Sequence, residues 1–175
     1  MTTRTHTLGF PRMGANRELK FALEKHWRSE IDRAALEAVG EELRARHWQA
    51  QRDAGLDYVT VGDFACYDHV ANHIQLFGCE PARFGFKGDE PELSRYFKMA
   101  RGVEDEIPDA GHVHDESCKH GTEGTFALEM TKWFDTNYHY LVPEFEPGTQ
   151  FRLASRRLLE EVGDCLLYTS PSPRD

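Results

Sequence analysis

The chain has 175 residues and a formal net charge of −9. That acidic balance excludes general nucleic-acid binding, which wants a basic face, and no apolar run approaches the ~20 residues that cross a bilayer. Cys66, Cys79, Cys118 and Cys165 form no CxxC pair and no dense framework, so reduced thiols in a cytoplasm are expected.

The opening MTTRTHTLGF lacks the apolar core and cleavage signal of a secretory peptide. Thr5 to Phe10 is short, β-rich and closed by Pro11, with Gly14 soon after, and predicts a first strand and its loop. Asn16 is a good N-cap, and Glu18 falls in the first turn, where negative charge suits the helix dipole. Leu19, Ala22, Leu23, His26 and Trp27 then recur at helical spacing. A second helix is expected from Asp32 to Asp53, with Leu36, Val39, Leu43, His47 and Ala50 as its apolar stripe. Ala54-Gly55 stops it, glycine being the usual left-handed terminator.

Asp57 to Val61 reads as a second strand, and Gly62-Asp63 opens the next loop. Tyr67 to Leu76 predicts a helix closed by Gly78, and 81–91 is turn-rich. Leu93 to Ala100 predicts a short helix that packs Leu93, Tyr96 and Phe97. Residues 103–124 have no periodicity and read as a variable insertion. Tyr138 to Val142 and Phe151 to Leu153 are expected strands, the latter leading into a final helix. Strands alternating with helices predict a parallel α/β architecture, with no internal repeat. From Cys165 to Asp175, CLLYTSPSPRD, the Pro-Ser alternation predicts an unstructured tail. The string also back-translates into codons similar to a transposase sequencing adapter, so it is expected to be foreign to the gene.

Chemistry can sit in four places. At the loop-to-helix junction Asn16, Arg17, Glu18, Leu19 and Lys20, free backbone N–H groups face outward and form an anion site. Arg17 and Lys20, at i and i+3, add two cations on one helical face. The plain alternative is a solvated helix start with Glu18 paired to a neighbour. In Glu129 to Phe145, EMTKWFDTNYHYLVPEF, six of seventeen residues are aromatic: Trp133, Phe134, Tyr138, Tyr140, Phe145 and the imidazole His139. Such a run suits a pocket wall or a buried strand, and Lys132 beside it can make a cation–π contact or simply snorkel. His112, His114, Cys118 and His120 have ligand types and spacings that fit zinc, although such tracts also occur without a metal. Asp63, Tyr67, Asp68 and His69 follow the end of a strand. There an acid–base role competes with packing and hydrogen bonding at a rim. His26 and His47 fall on apolar helix stripes and read as core or boundary histidines.

THTLGFPRMGANRELK, RARHW, VGDFACYDHV and EMTKWFDTNYHYLVPEF occur in one order that resembles cobalamin-independent methionine synthase. The resemblance runs from about Thr5 to Val162. It implies the first half of an N-terminal (β/α)8 barrel, a fold that usually needs about 250 residues and so cannot close within this chain. It implies that residues 1–164 are part of the N-terminal domain of a zinc-dependent methyltransferase, with 103–124 as its insertion and 165–175 as the tail. That family transfers a methyl group from 5-methyltetrahydropteroyltriglutamate to homocysteine without cobalamin. The resemblance assigns Arg17, Glu18, Leu19, Lys20 and Lys132 to the glutamate tail of the folate. It puts the zinc ligands, the homocysteine site and every catalytic residue in a C-terminal domain that this sequence lacks. An inactive fragment, monomeric at full length, cytoplasmic and without nucleic-acid or membrane partners, is therefore expected. A stand-alone folate or polyanion-binding module, or a metal-handling protein that uses the His/Cys tract, are the rival readings.

Overall fold

A computed structural model describes residues 3–102 and 126–169. They comprise α1 (Glu18–Trp27), α2 (Arg33–Asp53), α3 (His69–Leu76), a 3-10 turn (Ala82–Phe84), α4 (Glu92–Arg101), β1 (Met130–Lys132), β2 (His139–Leu141) and α5 (Arg157–Thr169). The chain divides into two compact units. One is built from residues up to His69 together with those from Ser155 onward, and the other runs from Val70 to Ala154.

In the first unit α2 packs against both α1 and α5. Leu19, Ala22 and Leu23 bury one face of α1, and Leu36, Leu43 and Trp48 bury the facing stripe of α2. The Asp32 carboxylate caps α2 by accepting the Ala35 N–H at 2.8 Å. Both helices end in a Schellman motif. In α1, Ser29 N–H reaches His26 O and Glu30 N–H reaches Lys25 O; in α2, Gly55 and Leu56 repeat the pattern on Arg52 and Gln51. The left-handed residue is Gly55 in α2 but Ser29, at φ 58°, in α1.

Two expected strands are absent as strands. Residues 5–10 and 57–63 do run side by side in the same direction, since Tyr58 N–H meets Thr5 O and Thr60 Oγ1 donates to Thr7 O, both 53 residues apart. Side chains take the other peptide groups: Asp57 Oδ2 accepts Thr5 N–H at 2.7 Å, Asp63 Oδ2 accepts Phe10 N–H at 2.6 Å, and Gln51 Oε1 accepts Thr60 N–H at 2.9 Å. A parallel alignment survives, but its ladder is replaced by side-chain acceptors.

The second unit buries Ile74, Leu93, Tyr96, Met99, Leu128 and Leu141. Its only sheet among the described residues is antiparallel: β1 pairs with β2, Met130 opposite Leu141 and Lys132 opposite His139. The expected strand at Phe151–Leu153 is instead extended chain, tied to the end of α3 by Arg152 N–H to Phe77 O and Ala154 N–H to Leu76 O. The described residues are thus helical with one small hairpin, and the parallel strands of a half barrel are not among them.

The expectation of an unstructured chain from Cys165 onward is corrected for Cys165–Thr169, which continue α5. Cys165 is buried, and Tyr168 lies 6.2 Å from Trp48, ring to ring. Leucines and tyrosine extend the helix, and Pro171 disfavours helix at the residue before it. Residues 170–175 lie outside the described residues.

Candidate functional site

The helix start at α1 is built differently from the sequence expectation. Arg17, not Asn16, is the N-cap, and it stands in the left-handed region at φ 61°, ψ 33° with no side-chain cap. For a residue with a Cβ that conformation costs about 1–2 kcal/mol, so its surroundings must impose it. Arg17 N–H donates to Gly14 O at 3.2 Å, and Leu19 N–H donates to Met13 O at 3.2 Å. Gly14 itself sits at φ 80°.

The Glu18 carboxylate folds back over this turn. Its Oε2 accepts the Asn16 N–H at 2.9 Å, and its Oε1 accepts Arg46 Nη2 of α2 at 2.8 Å. The Arg46 hydrogen bond holds the Glu18 carboxyl below the usual range, and the N–H groups of Glu18 and Asn16 lower it further. Glu18 is therefore paired to a neighbour, as the plain alternative had it, and its carboxylate already takes one outward N–H. Leu19 is fully buried, so it anchors the helix start. Lys20 Nζ lies 3.7 Å from Glu24 Oε1 on the same exposed face. Arg17 is exposed and its guanidinium has no hydrogen bond or ion pair among the described residues. Of the cations expected at the junction, Arg17 is the one held out to solvent without a counter-charge.

Lys132 ends β1 in the second unit, exposed and opposite His139. The aromatic run around it is neither a buried strand nor an enclosed wall. Trp133 is 47%, Phe134 83% and Tyr138 46% exposed. Phe134 and Asp135 have φ values of 44° and 58°, and Thr136 N–H closes on Trp133 O at 2.9 Å, a left-handed turn of the I′ kind inside the four-residue loop that Trp133 N–H to Tyr138 O closes. Such turns favour Asn-Gly, so a bulky Phe there is a local strain. Trp133 meets Phe134 and Tyr140 edge to face at 5.0 and 5.4 Å.

Asp63 acts as a backbone acceptor for Phe10, which matches the rim hydrogen-bonding role. Asp68 is buried. His26 Nδ1 lies 3.2 Å from Ile31 O, and His47 stacks on Phe10 at 4.5 Å. Burial, then the Arg46 charge, pushes the His47 pKa down. Burial raises the Cys66 thiol, which makes it an inert core group. His112, His114, Cys118 and His120 lie outside the described residues, and among the described residues no three His, Cys, Asp or Glu are grouped to hold a metal ion. The donor sets among the described residues do not fit zinc.

Sequence reasoning missed two arginines. Arg12, in GFPR, donates to Ala65 O, Cys66 O and Tyr67 O at 2.9, 3.0 and 2.8 Å and pins the two loops together. Arg46, in RARHW, reaches across from α2 to Glu18. Both lay inside quoted motifs, and a guanidinium with five donors close to turn carbonyls or a lone Glu was the available signal.

The profile described as "Cobalamin-independent synthase, N-terminal domain" matches residues 4–169. The chain belongs to that family. It is 52% identical over 163 residues to the 5-methyltetrahydropteroyltriglutamate–homocysteine methyltransferase of Syntrophotalea carbinolica, covering 93% of this chain and 19% of the relative. The enzyme of the same name from Paraburkholderia xenovorans is 49% identical over 168 residues, covering 96% of this chain and 20% of the relative. This cobalamin-independent synthase segment thus spans about a fifth of the length of the curated relatives it matches.

Proposed function

We propose that this segment works within a methyltransferase that takes 5-methyltetrahydropteroyltriglutamate and homocysteine, and that its part is to hold the anionic glutamate tail. The observation that carries the reading is Arg17. Among the described residues it is an unpaired cation, set at a helix start by a strained left-handed backbone, in a chain about half identical to enzymes named for a triglutamate substrate. Lys20 adds a second cation on the same helix, and Lys132, in the other unit, is proposed as a contact of its own to the tail. The parallel run of residues 5–10 beside 57–63 is, in this reading, the start of the (β/α)8 barrel. In this reading the zinc chemistry lies outside this segment, and the chain alone is inactive. Free thiols at Cys66, Cys79 and Cys165 suit a reducing cytoplasm.

Exposed charge pairs contribute about 0.2–1 kcal/mol each and weaken with salt. In a full-length enzyme carrying this segment, replacing Arg17 and Lys20 by Ala is expected to raise KM for the triglutamate substrate about two- to ten-fold with kcat little changed, the pattern of lost uniform binding. The effect should shrink at high ionic strength and be absent for the monoglutamate. Equal weakening of both substrates, or a fall in kcat at constant KM, would reject tail binding at α1.

A further inference from the structure

We propose that Glu18 and Arg46 are positioning residues that together aim Arg17; the proposal rests on the reading of Arg17 as a cation for a glutamate tail. Glu18 was assigned to the ligand along with its neighbours, yet its carboxylate is turned inward. One oxygen takes the Asn16 N–H at 2.9 Å and the other takes Arg46 Nη2 at 2.8 Å. The residue between them, Arg17, is left-handed at φ 61°. One side chain bridges both flanks of that residue: the Glu18 carboxylate accepts the backbone N–H of Asn16, while the Glu18 backbone begins the helix. Arg46 comes from a separate helix, so the clamp references the turn to the body of α2. Its charge also stands 4.0 Å from Glu42, which keeps the guanidinium in place along its own helix.

The room at Gly14 shows how closely the clamp is fitted. A Cβ there would fall 2.2 Å from Glu18 Oε2 and 2.7 Å from the buried Leu43 side chain, and the glycine is at φ 80°. Carboxylate, bare Cα and Leu43 of α2 therefore occupy one another's space. The bare Cα of Gly14 is what leaves room for the inward Glu18, and a carboxylate so held cannot also repel an anionic ligand at full strength, since Arg46 neutralises it. The lowered Glu18 pKa, caused first by Arg46, keeps the clamp charged at neutral pH.

The 175-residue chain is titrated with 5-methyltetrahydropteroyltriglutamate and with the monoglutamate, followed by amide NMR, in wild type, Arg17→Ala, Glu18→Gln, Arg46→Met and Arg46→Lys. Glu18→Gln and Arg46→Met are expected to lower triglutamate affinity about two- to five-fold, as Arg17→Ala does, and to add nothing in the Arg17→Ala background. Monoglutamate affinity should not move, and Arg46→Lys should restore part of the loss. The charge-exchanged pair Glu18→Arg with Arg46→Glu restores an ion pair but leaves no acceptor for Asn16, so it should regain stability without regaining tail preference. Losses that add to Arg17→Ala, or a full rescue by the exchanged pair, overturn the positioning role. A wild-type chain with no preference for the triglutamate overturns the tail reading instead, and the clamp is then decided by the Asn16 amide alone. If that amide follows titration of Glu18 below the ordinary carboxyl range, and stops doing so in Arg46→Met, the clamp stands. If it does not follow, the clamp falls.

Discussion

At the scale of single residues, polar side chains in this chain mostly serve the backbone. Asp57, Asp63, Gln51 and Arg12 each complete peptide groups that a longer ladder would otherwise satisfy. This explains why VGDFACYDHV suggested acid–base chemistry. Its Asp63 is an acceptor for Phe10 N–H, a demand that residue type alone does not announce. His47 makes a quantitative case. Its folded pKa lies below the unfolded value of about 6.5 because burial disfavours the imidazolium. As pH falls through that value the unfolded chain takes up the proton first, so stability present above it declines until pH passes the folded pKa. His47→Phe keeps the stack on Phe10 and removes the titration. Its unfolding free energy is expected to stay flat from pH 7.5 down to about 5.5, where wild type falls. An unchanged slope in the variant would place the proton uptake elsewhere. The Glu18 carboxyl, also depressed, adds a decline of the same sign that begins as pH falls through the usual carboxyl value and ends at the lower folded one.

At the scale of elements, the helices were legible and the strands were not. The helical spacing of Leu19, Ala22, Leu23, His26 and Trp27, the expected start near Asp32 and the Gly55 stop predicted α1 and α2 within a residue or two. Strand signals in Thr5–Phe10 and Asp57–Val61 were equally local, but pairing is decided by partners distant in sequence, and here side chains displaced the ladder. The candidate site was legible in part. Spacing put Arg17 and Lys20 at one helix start and the resemblance assigned them a ligand, while the left-handed turn and the Arg46 contact to Glu18 depend on tertiary contact across α2. The final helix was expected, but its last residues, Cys165–Thr169, were misread because the serines and prolines beyond Thr169 coloured the residues before them. Cys165 is buried, and Tyr168 sits by Trp48. Ending the chain at Asp164 is therefore expected to lower stability by about 1–3 kcal/mol, read as a lower urea midpoint at similar slope. Unaltered melting would show that the last turn of α5 is an appendage.

At the scale of the whole molecule, α5 carries apolar residues outward. Leu159, Val162 and Leu166, spaced as one helical stripe, are 53%, 39% and 58% exposed, and Leu167 is 82% exposed. Patches of this kind drive association in water. Replacing Leu159 and Leu166 by Lys is expected to reduce concentration-dependent self-association in sedimentation experiments while the melting midpoint holds. Equal association in the variant would move the sticky surface elsewhere. The second unit has a different property. On one side of positions 103–125, α4 ends with Gly102 N–H on Lys98 O. On the other side, Leu128 N–H is fastened to Met99 O at 2.8 Å, while Arg83 grips the carbonyls of Phe126 and Ala127 and the carboxylate of Glu144. Both margins are moored to α4, and the second is held by Arg83 as well. A change of length between these moorings is therefore expected to leave β1 and β2 paired in the same register, with Lys132 opposite His139.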